Sequence, residues 1–182
     1  MSSFLRILPP LFFIALGAFA WWISTLPEDM KIERSLHVEA EPQAVFERVA
    51  YIRRWEGWFV GQDQEVRFQG PDGGPGGVLV MTVEERDVTL VLTETSTPSA
   101  VRYQFWEGGP DAKVDADMKT QGEIAIAASD GGATVSIIEE AHIGGTFGRW
   151  MVYLLGDFMV GSILERQLHN LKSALETGAS HG

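Results

Sequence analysis

The sequence predicts an α+β domain in which a curved antiparallel sheet of about seven strands wraps on one long C-terminal helix. Two observations carry this prediction. Between Gln64 and Ile143, segments rich in β-branched and aromatic residues alternate with tight Gly- and Pro-rich turns, which is typical of an antiparallel meander. From Thr146 to Thr177, apolar residues recur instead at helical spacing. Because a sheet with one buried face must be covered, we expect the terminal helix to close it.

The composition excludes several classes of protein. A chain of 182 residues holds one domain with a substantial core. It contains no cysteine, so disulfides and thiolate metal sites are excluded. The net charge of −11 comes without a basic stripe, which argues against nucleic-acid binding. No pair of histidines has metal-ligand spacing and no phosphate-binding loop is complete, so we expect neither a metal nor a cofactor.

Residues 1–26 form an apolar N-terminal segment. The run Ile7–Ile23 carries no charge, and Trp21 and Trp22 stand where an interfacial aromatic belt would lie. This pattern predicts a membrane anchor; a signal peptide cleaved after Ala18-Phe19-Ala20 is the alternative. Basic residues flank both ends of the run, and we favour an N-terminus in the cytoplasm with the domain outside. Residues 27–30 are a linker.

The domain proper spans residues 31–177, and residues 178–182 form a frayed tail. Alternation of Ile32, Leu36 and Val38 with polar residues predicts a first, half-buried strand. Pro42 then opens a helix that leads to a hinge containing two tryptophans. Six further strands follow between the turns: Val66–Phe68, Val78–Val83, Val88–Thr95, Val101–Trp106, Val114–Ala127 and Thr134–Ile143.

The C-terminal helix carries two unusual features. Its predicted core stripe contains a glycine, Gly161, where the repeat requires a large side chain, and this gap leaves room for a pocket. In addition, the helix is apolar nearly all round from Trp150 to Ile163. Because the core accounts for only one face, we expect this half to act as a lid that docks on the membrane. The predicted stripe comprises Phe147, Met151, Leu154, Phe158, Gly161, Leu164, Leu168, Leu171 and Leu175.

A family resemblance supports the same architecture. The matching pieces are Leu26-Pro27, the strand KIERSLHVEA with the following EPQAVFERVAYIRRWEGW, the pair Trp55-x-x-Trp58, and Leu168-x-x-Leu171-Lys172. Over residues 31–177 the chain resembles the START-like (SRPBCC) superfamily, and within it the bacterial polyketide cyclase/dehydrase and lipid-transport group. These pieces are packing signatures, so they predict a fold and imply a function only by analogy.

The resemblance implies a helix-grip fold with a cavity between the sheet and the C-terminal helix. Such a cavity would hold a lipid or another apolar small molecule. Members of this bacterial group often begin with a single apolar segment that ends in Leu-Pro, so the resemblance also favours a single-pass anchor over residues 1–26. With the orientation favoured above, we expect this anchor in the bacterial inner (cell) membrane and the domain on the periplasmic or extracellular side. The expected ligand-binding residues are Tyr103, Phe105, Glu139, Met151, Leu154, Phe158 and Gly161.

One carboxylate is the strongest candidate for chemistry. On the last strand Glu139 shares the more apolar face with Val135 and Ile137, where burial would raise its pKa. It would then hold a ligand's polar head or act as a general acid/base. Binding without catalysis is the favoured function, a cyclase/dehydrase-type enzyme using Glu139 is the alternative, and a ligand-sensing regulatory module is a third possibility. Weaker candidates are Glu94, Asp115, Asp117 and Asp157.

Overall fold

The computed structural model describes residues 3–61, 64–114 and 119–179. Asp115, Asp117 and residues 180–182 of the predicted tail therefore lie outside the described residues. Over these described residues, three α-helices and seven strands follow in the predicted order. The helices are α1 (Ser3–Ser24), α2 (Pro42–Val49) and α3 (Thr146–Ala179), with a 3-10 helix at Ile52–Trp55. The strands are β1 (Asp29–Val38), β2 (Val66–Gln69), β3 (Val78–Val83), β4 (Arg86–Ser96), β5 (Ala100–Glu107), β6 (Thr120–Ser129) and β7 (Gly132–His142).

The seven strands form one antiparallel sheet in the order β1-β7-β6-β5-β4-β3-β2. Consecutive strands from β2 to β7 are neighbours, as expected when tight turns join them. The first strand joins the opposite edge by pairing with the last, from Asp29 beside His142 to Val38 beside Ala133. The predicted α+β class and the curved sheet closed by a long C-terminal helix are thus confirmed. The predicted linker ends earlier than expected, because Asp29 already belongs to β1.

The core lies between one face of this sheet and the second half of α3. Leu164, Leu168 and Leu171 of α3 are fully buried, as the helical stripe predicts. The hinge after α2 also belongs to this core, since its two tryptophans, Trp55 and Trp58, are buried. The indole of Trp55 donates a hydrogen bond of 2.7 Å to the carbonyl oxygen of Val49, which satisfies the buried N–H.

The first half of α3 departs from the predicted stripe. Phe147, Leu154 and Phe158 were expected on the core but are 72%, 53% and 78% exposed. The helix instead turns a different face to β1, with Gly156 lying against Met30. Periodicity could not select the face, because the helix is apolar on every side in this half.

The C-terminal end of the N-terminal helix α1 packs on the start of α3. Phe19 and Trp22 make edge contacts with Trp150 and Tyr153 of α3, with ring centroids 6.5 and 5.7 Å apart. The sequence predicts a membrane anchor over residues 1–26. Within the part of the chain that the structure describes, however, no helix combines the length and apolar character that crossing a membrane requires.

Candidate functional site

The candidate site begins with a buried carboxylate on β7. Strand alternation turns Val135, Ile137 and Glu139 to the core and their neighbours outward. Glu139 is only 7% exposed, so the side chain predicted to lie inside does lie inside. Its neighbour Glu140 points outward and pairs with Lys31 at 2.7 Å. Two adjacent glutamates thus have opposite environments on one strand.

Tyr103 on β5 is the hydrogen-bond partner of Glu139. Its hydroxyl donates to the Glu139 Oε1 over 3.2 Å, and its side chain is fully buried. The two residues belong to one cross-strand row, in which Gly122 of β6 pairs with Tyr103 on one side and Glu139 on the other. A Cβ at Gly122 would overlap the tyrosine ring. The glycine therefore creates the space that lets the phenol reach across a strand to the carboxylate.

The sequence contains a signal for this arrangement that the predicted site residues do not include. A glycine in the interior of a strand usually marks a close approach by another group. Gly122 is such a residue, but the identity of the approaching group depends on strand order and register, which no short-range pattern contains. The sequence placed Tyr103 and Glu139 on inward faces without showing that they touch.

Aromatic side chains surround the pair on one side. Phe105 continues the wall along β5, half-buried, with its ring stacked 6.3 Å from that of Tyr103. The hinge contributes Trp55 and Phe59, whose ring centroids lie 5.3 and 5.6 Å from that of Tyr103. The hydrogen-bond partner of the buried carboxylate is thus a tyrosine set among aromatic rings, and apolar walls with a few polar groups are typical of small-molecule sites.

Burial sets the protonation of the pair. Removal from water raises the pKa of Glu139 from 4.5 to about 7, and the hydrogen bond from Tyr103 lowers it by less. Burial and the neighbouring carboxylate raise the pKa of Tyr103 well above its ordinary value, so the phenol stays a donor. Near neutral pH, Glu139 therefore exists both as the protonated acid, which can donate a proton, and as the carboxylate, which can accept one.

Two further buried polar atoms border the aromatic wall. Gln167 of α3 donates through Nε2 to the Phe59 carbonyl oxygen at 3.2 Å. Its Oε1 and the Nε1 of Trp58 are buried and have no hydrogen-bond partner among the described residues. An unpaired buried donor and acceptor are costly, and a bound polar group would relieve the cost.

The gap at Gly161 is filled by the side chain of Arg34. A Cβ at Gly161 would overlap the guanidinium, which inserts from β1 beneath α3. Arg34 contacts Asp157 through Nη2 and Glu165 through Nε, each at 2.9 Å. Hydrogen bonds to these carboxylates hold the pKa of Arg34 above its ordinary value. The glycine thus provides close approach for an ion-paired arginine, and Asp157 serves as its partner.

The structure brings together only part of the predicted ligand-binding set. Tyr103, Phe105 and Glu139 lie side by side on the inner face of the sheet. Met151 is half-buried, while Leu154 and Phe158 point to solvent on α3. The weaker candidate Glu94 forms an exposed ion pair of 2.8 Å with Arg102.

A cavity of about 240 Å³ lies between β1 and the first half of α3. One of its lining residues, Ile32, pairs with Glu139 in the register of β1 and β7. None of the predicted ligand-binding residues lines it. Among the described residues no group of His, Asp and Glu side chains could hold a metal ion. The other lining residues are Leu26, Pro27, Asp29, Met30, Lys31, Ile143, Arg149, Val152, Tyr153 and Asp157.

Comparison with known proteins identifies related sequences and folds. A family model described as polyketide cyclase / dehydrase and lipid transport matches residues 29–176. A comparison with curated proteins finds no match.

Several solved structures share the fold. SA2116 from Staphylococcus aureus, a protein of unknown function, superposes with a TM-score of 0.65 at 12% identity, covering 84% of this chain and 97% of that one. Norcoclaurine synthase from Thalictrum flavum gives 0.62 at 15% identity, over 84% and 89%. CV1439 from Chromobacterium violaceum gives 0.56 at 16% identity, over 83% and 99%. At these identities the likeness concerns the fold alone.

Proposed function

Because the chain belongs to the polyketide cyclase / dehydrase and lipid transport family, we propose that it binds or transfers a lipid or another apolar small molecule between sheet and α3. The observation that carries the proposal is the Glu139–Tyr103 pair, a single polar contact set in an aromatic wall. An apolar ligand body would cover the rings, while one polar group would bond to the pair.

The charges at the site favour a neutral or cationic polar group on the ligand. Glu139 repels an anion when ionised and donates a hydrogen bond when protonated. The inward-facing cation of β1, Arg34, is already paired with Asp157 and Glu165. A hydroxyl, a carbonyl or an amine therefore fits the pair better than a phosphate or a carboxylate does.

The test compares the small molecules that co-purify with the full chain. The wild type, Glu139→Gln, Glu139→Leu and Glu140→Gln would be extracted and their ligand content measured by mass spectrometry. Glu140→Gln is the matched control, since its side chain lies one residue away on the outer face. We expect Glu139→Gln and the control to retain the molecule and Glu139→Leu to lose about tenfold, because a buried hydrogen bond is removed. Equal content in all four proteins, or none in the wild type, would contradict the proposal.

A second candidate function is catalysis on an apolar substrate of the cyclase/dehydrase kind. The observation that favours it is the pKa of about 7 at Glu139, which suits a general acid/base near neutral pH. Glu139→Gln separates the two functions. It would abolish turnover by an enzyme, but it would leave binding intact because the amide still accepts the Tyr103 hydrogen bond.

We also propose that α1 tethers the domain to a bacterial inner membrane, with the domain outside. Two observations support this: the uncharged run Ile7–Ile23, and four consecutive side chains, Leu11 to Ile14, that are each more than half exposed. Consecutive positions lie about 100° apart on a helix, so these four apolar side chains point to different sides of α1. Protease treatment of spheroplasts would degrade a domain on the outer side and spare one in the cytoplasm. The intact mass would reveal cleavage after Ala20, the signal-peptide alternative.

A further inference from the structure

The outward face of α3 changes character halfway along the helix. Phe147, Met151, Leu154 and Phe158 recur at a spacing of three or four residues and therefore share one face. Three of them are more than half exposed, as is Met159 beside them. We call this the apolar outer face. A contiguous exposed patch of large apolar side chains is uncommon on a protein that meets only water.

Beyond Ser162 the same side of the helix is polar. Ser162, Glu165, Arg166 and His169 are exposed there, while the core side remains leucine-rich. The border between apolar and polar surface thus runs across the helix axis rather than along it. A paired helix in a dimer usually presents a lengthwise stripe, whereas a helix of which only one part meets hydrocarbon changes from apolar to polar where that part ends.

Helix α1 extends the apolar outer face. Its end contacts the start of α3 through two ring pairs, Phe19 with Trp150 and Trp22 with Tyr153. Trp21 at the same end is 71% exposed. Tryptophan and tyrosine side chains are the ones that concentrate where hydrocarbon meets water. The two helices therefore present one continuous apolar surface with aromatic rings at its domain end.

We propose that the apolar outer face of α3 docks into the surface of a lipid bilayer. Apolar burial rather than charge would drive docking, because the net charge of −11 opposes both an anionic surface and a second copy of the chain. Val152 and Tyr153 line the 240 Å³ cavity on this same half of α3, so docking places the cavity beside the lipid. This inference goes beyond the proposed function, and the ligand content of the protein tests that function separately.

The experiment places a fluorescent label at two depths on one helix face. The chain has no cysteine, so Phe158→Cys and His169→Cys each provide a single thiol for an environment-sensitive dye. The two positions lie on the same side of α3, about 16 Å apart along the axis. Each labelled full chain is placed in phosphatidylcholine nanodiscs in which a fraction of the lipid carries a nitroxide on its acyl chain.

We expect the nitroxide to quench the dye at position 158 several-fold more strongly than the dye at position 169. The nitroxide is on the acyl chain, so a dye at position 158 that α1 merely holds near the bilayer surface, without docking of the apolar outer face, would stay outside the quenching layer. Equal quenching at the two positions, or none at position 158, would overturn the proposal. The unlabelled Phe158→Cys protein tests whether a second copy of the chain covers the apolar outer face instead. A disulfide formed between two copies at position 158 would show this and would likewise overturn the proposal.

Discussion

Replacing Glu139 by glutamine should remove a loss of stability that the wild type shows as the pH rises. The pKa of Glu139 is about 7 in the folded protein, against an ordinary value of 4.5. Between these values the folded state keeps a proton that the unfolded state releases. Stability therefore falls as the pH rises from about 4.5 to about 7, and the full cost remains above that range. Glutamine never ionises, yet its oxygen still accepts the hydrogen bond from Tyr103.

The magnitude follows from the separation of the two pKa values. At about 1.4 kcal/mol for each pH unit, the interval from 4.5 to about 7 corresponds to about 3 kcal/mol. The 7% exposure of Glu139 means that solvent screening reduces this figure little. Glu139→Gln should therefore be more stable than the wild type by about 3 kcal/mol above about pH 7, and nearly equal to it below about pH 4.5.

Urea unfolding of the full chain in a nonionic detergent, repeated across this pH range, measures the difference. At each pH, the free energy of unfolding of the wild type is subtracted from that of the variant. The difference removes the contribution of every titrating group other than Glu139. The curves of Glu140→Gln and the wild type should coincide at all pH values, because Glu140 is exposed. A difference at Glu139 that is independent of pH, or a wild type that gains stability relative to the variant as the pH rises, would refute the reasoning.

Three further changes test the contacts that build the site. Tyr103→Phe removes the donor that lowers the pKa of Glu139, so a carboxyl-carbon NMR titration should give a midpoint above about 7. Gly122→Ala should destabilise the fold by about 1–3 kcal/mol and separate Tyr103 from Glu139, because the new methyl overlaps the ring; an unchanged urea midpoint would contradict the close approach. Gly161→Leu should destabilise the wild type but cost less in an Arg34→Ala background, since the guanidinium is what the leucine displaces. Equal costs in the two backgrounds would show that Arg34 does not occupy the gap.

Strong periodic patterns made the strands and helices predictable. Six of the seven strands lie within two residues of the predicted bounds, because alternation and turn chemistry act over a few residues. Strand β6 is the exception: it begins at Thr120 rather than Val114. The inward position of Glu139 was also predictable, since alternation fixes the face of every residue on a strand.

The candidate site was predictable only in part. Tyr103 and Glu139 are 36 positions apart in sequence, and their contact depends on the glycine of the intervening strand. The role of Gly161 was misread for the same reason, because Arg34 approaches it from a strand more than a hundred residues earlier. The helical periodicity showed that a large side chain is missing at Gly161, but it could not indicate which distant side chain fills the space.

By itself the sequence determined the α+β class, the order of elements and the buried face of β7, since local spacing encodes each of these. Tertiary structure alone decided which face of the first half of α3 meets the sheet. Over Trp150 to Ile163 every face is apolar, so local pattern leaves the orientation open. Contacts such as that of Met30 with Gly156 fix it, and they leave Phe147, Leu154 and Phe158 on the outside.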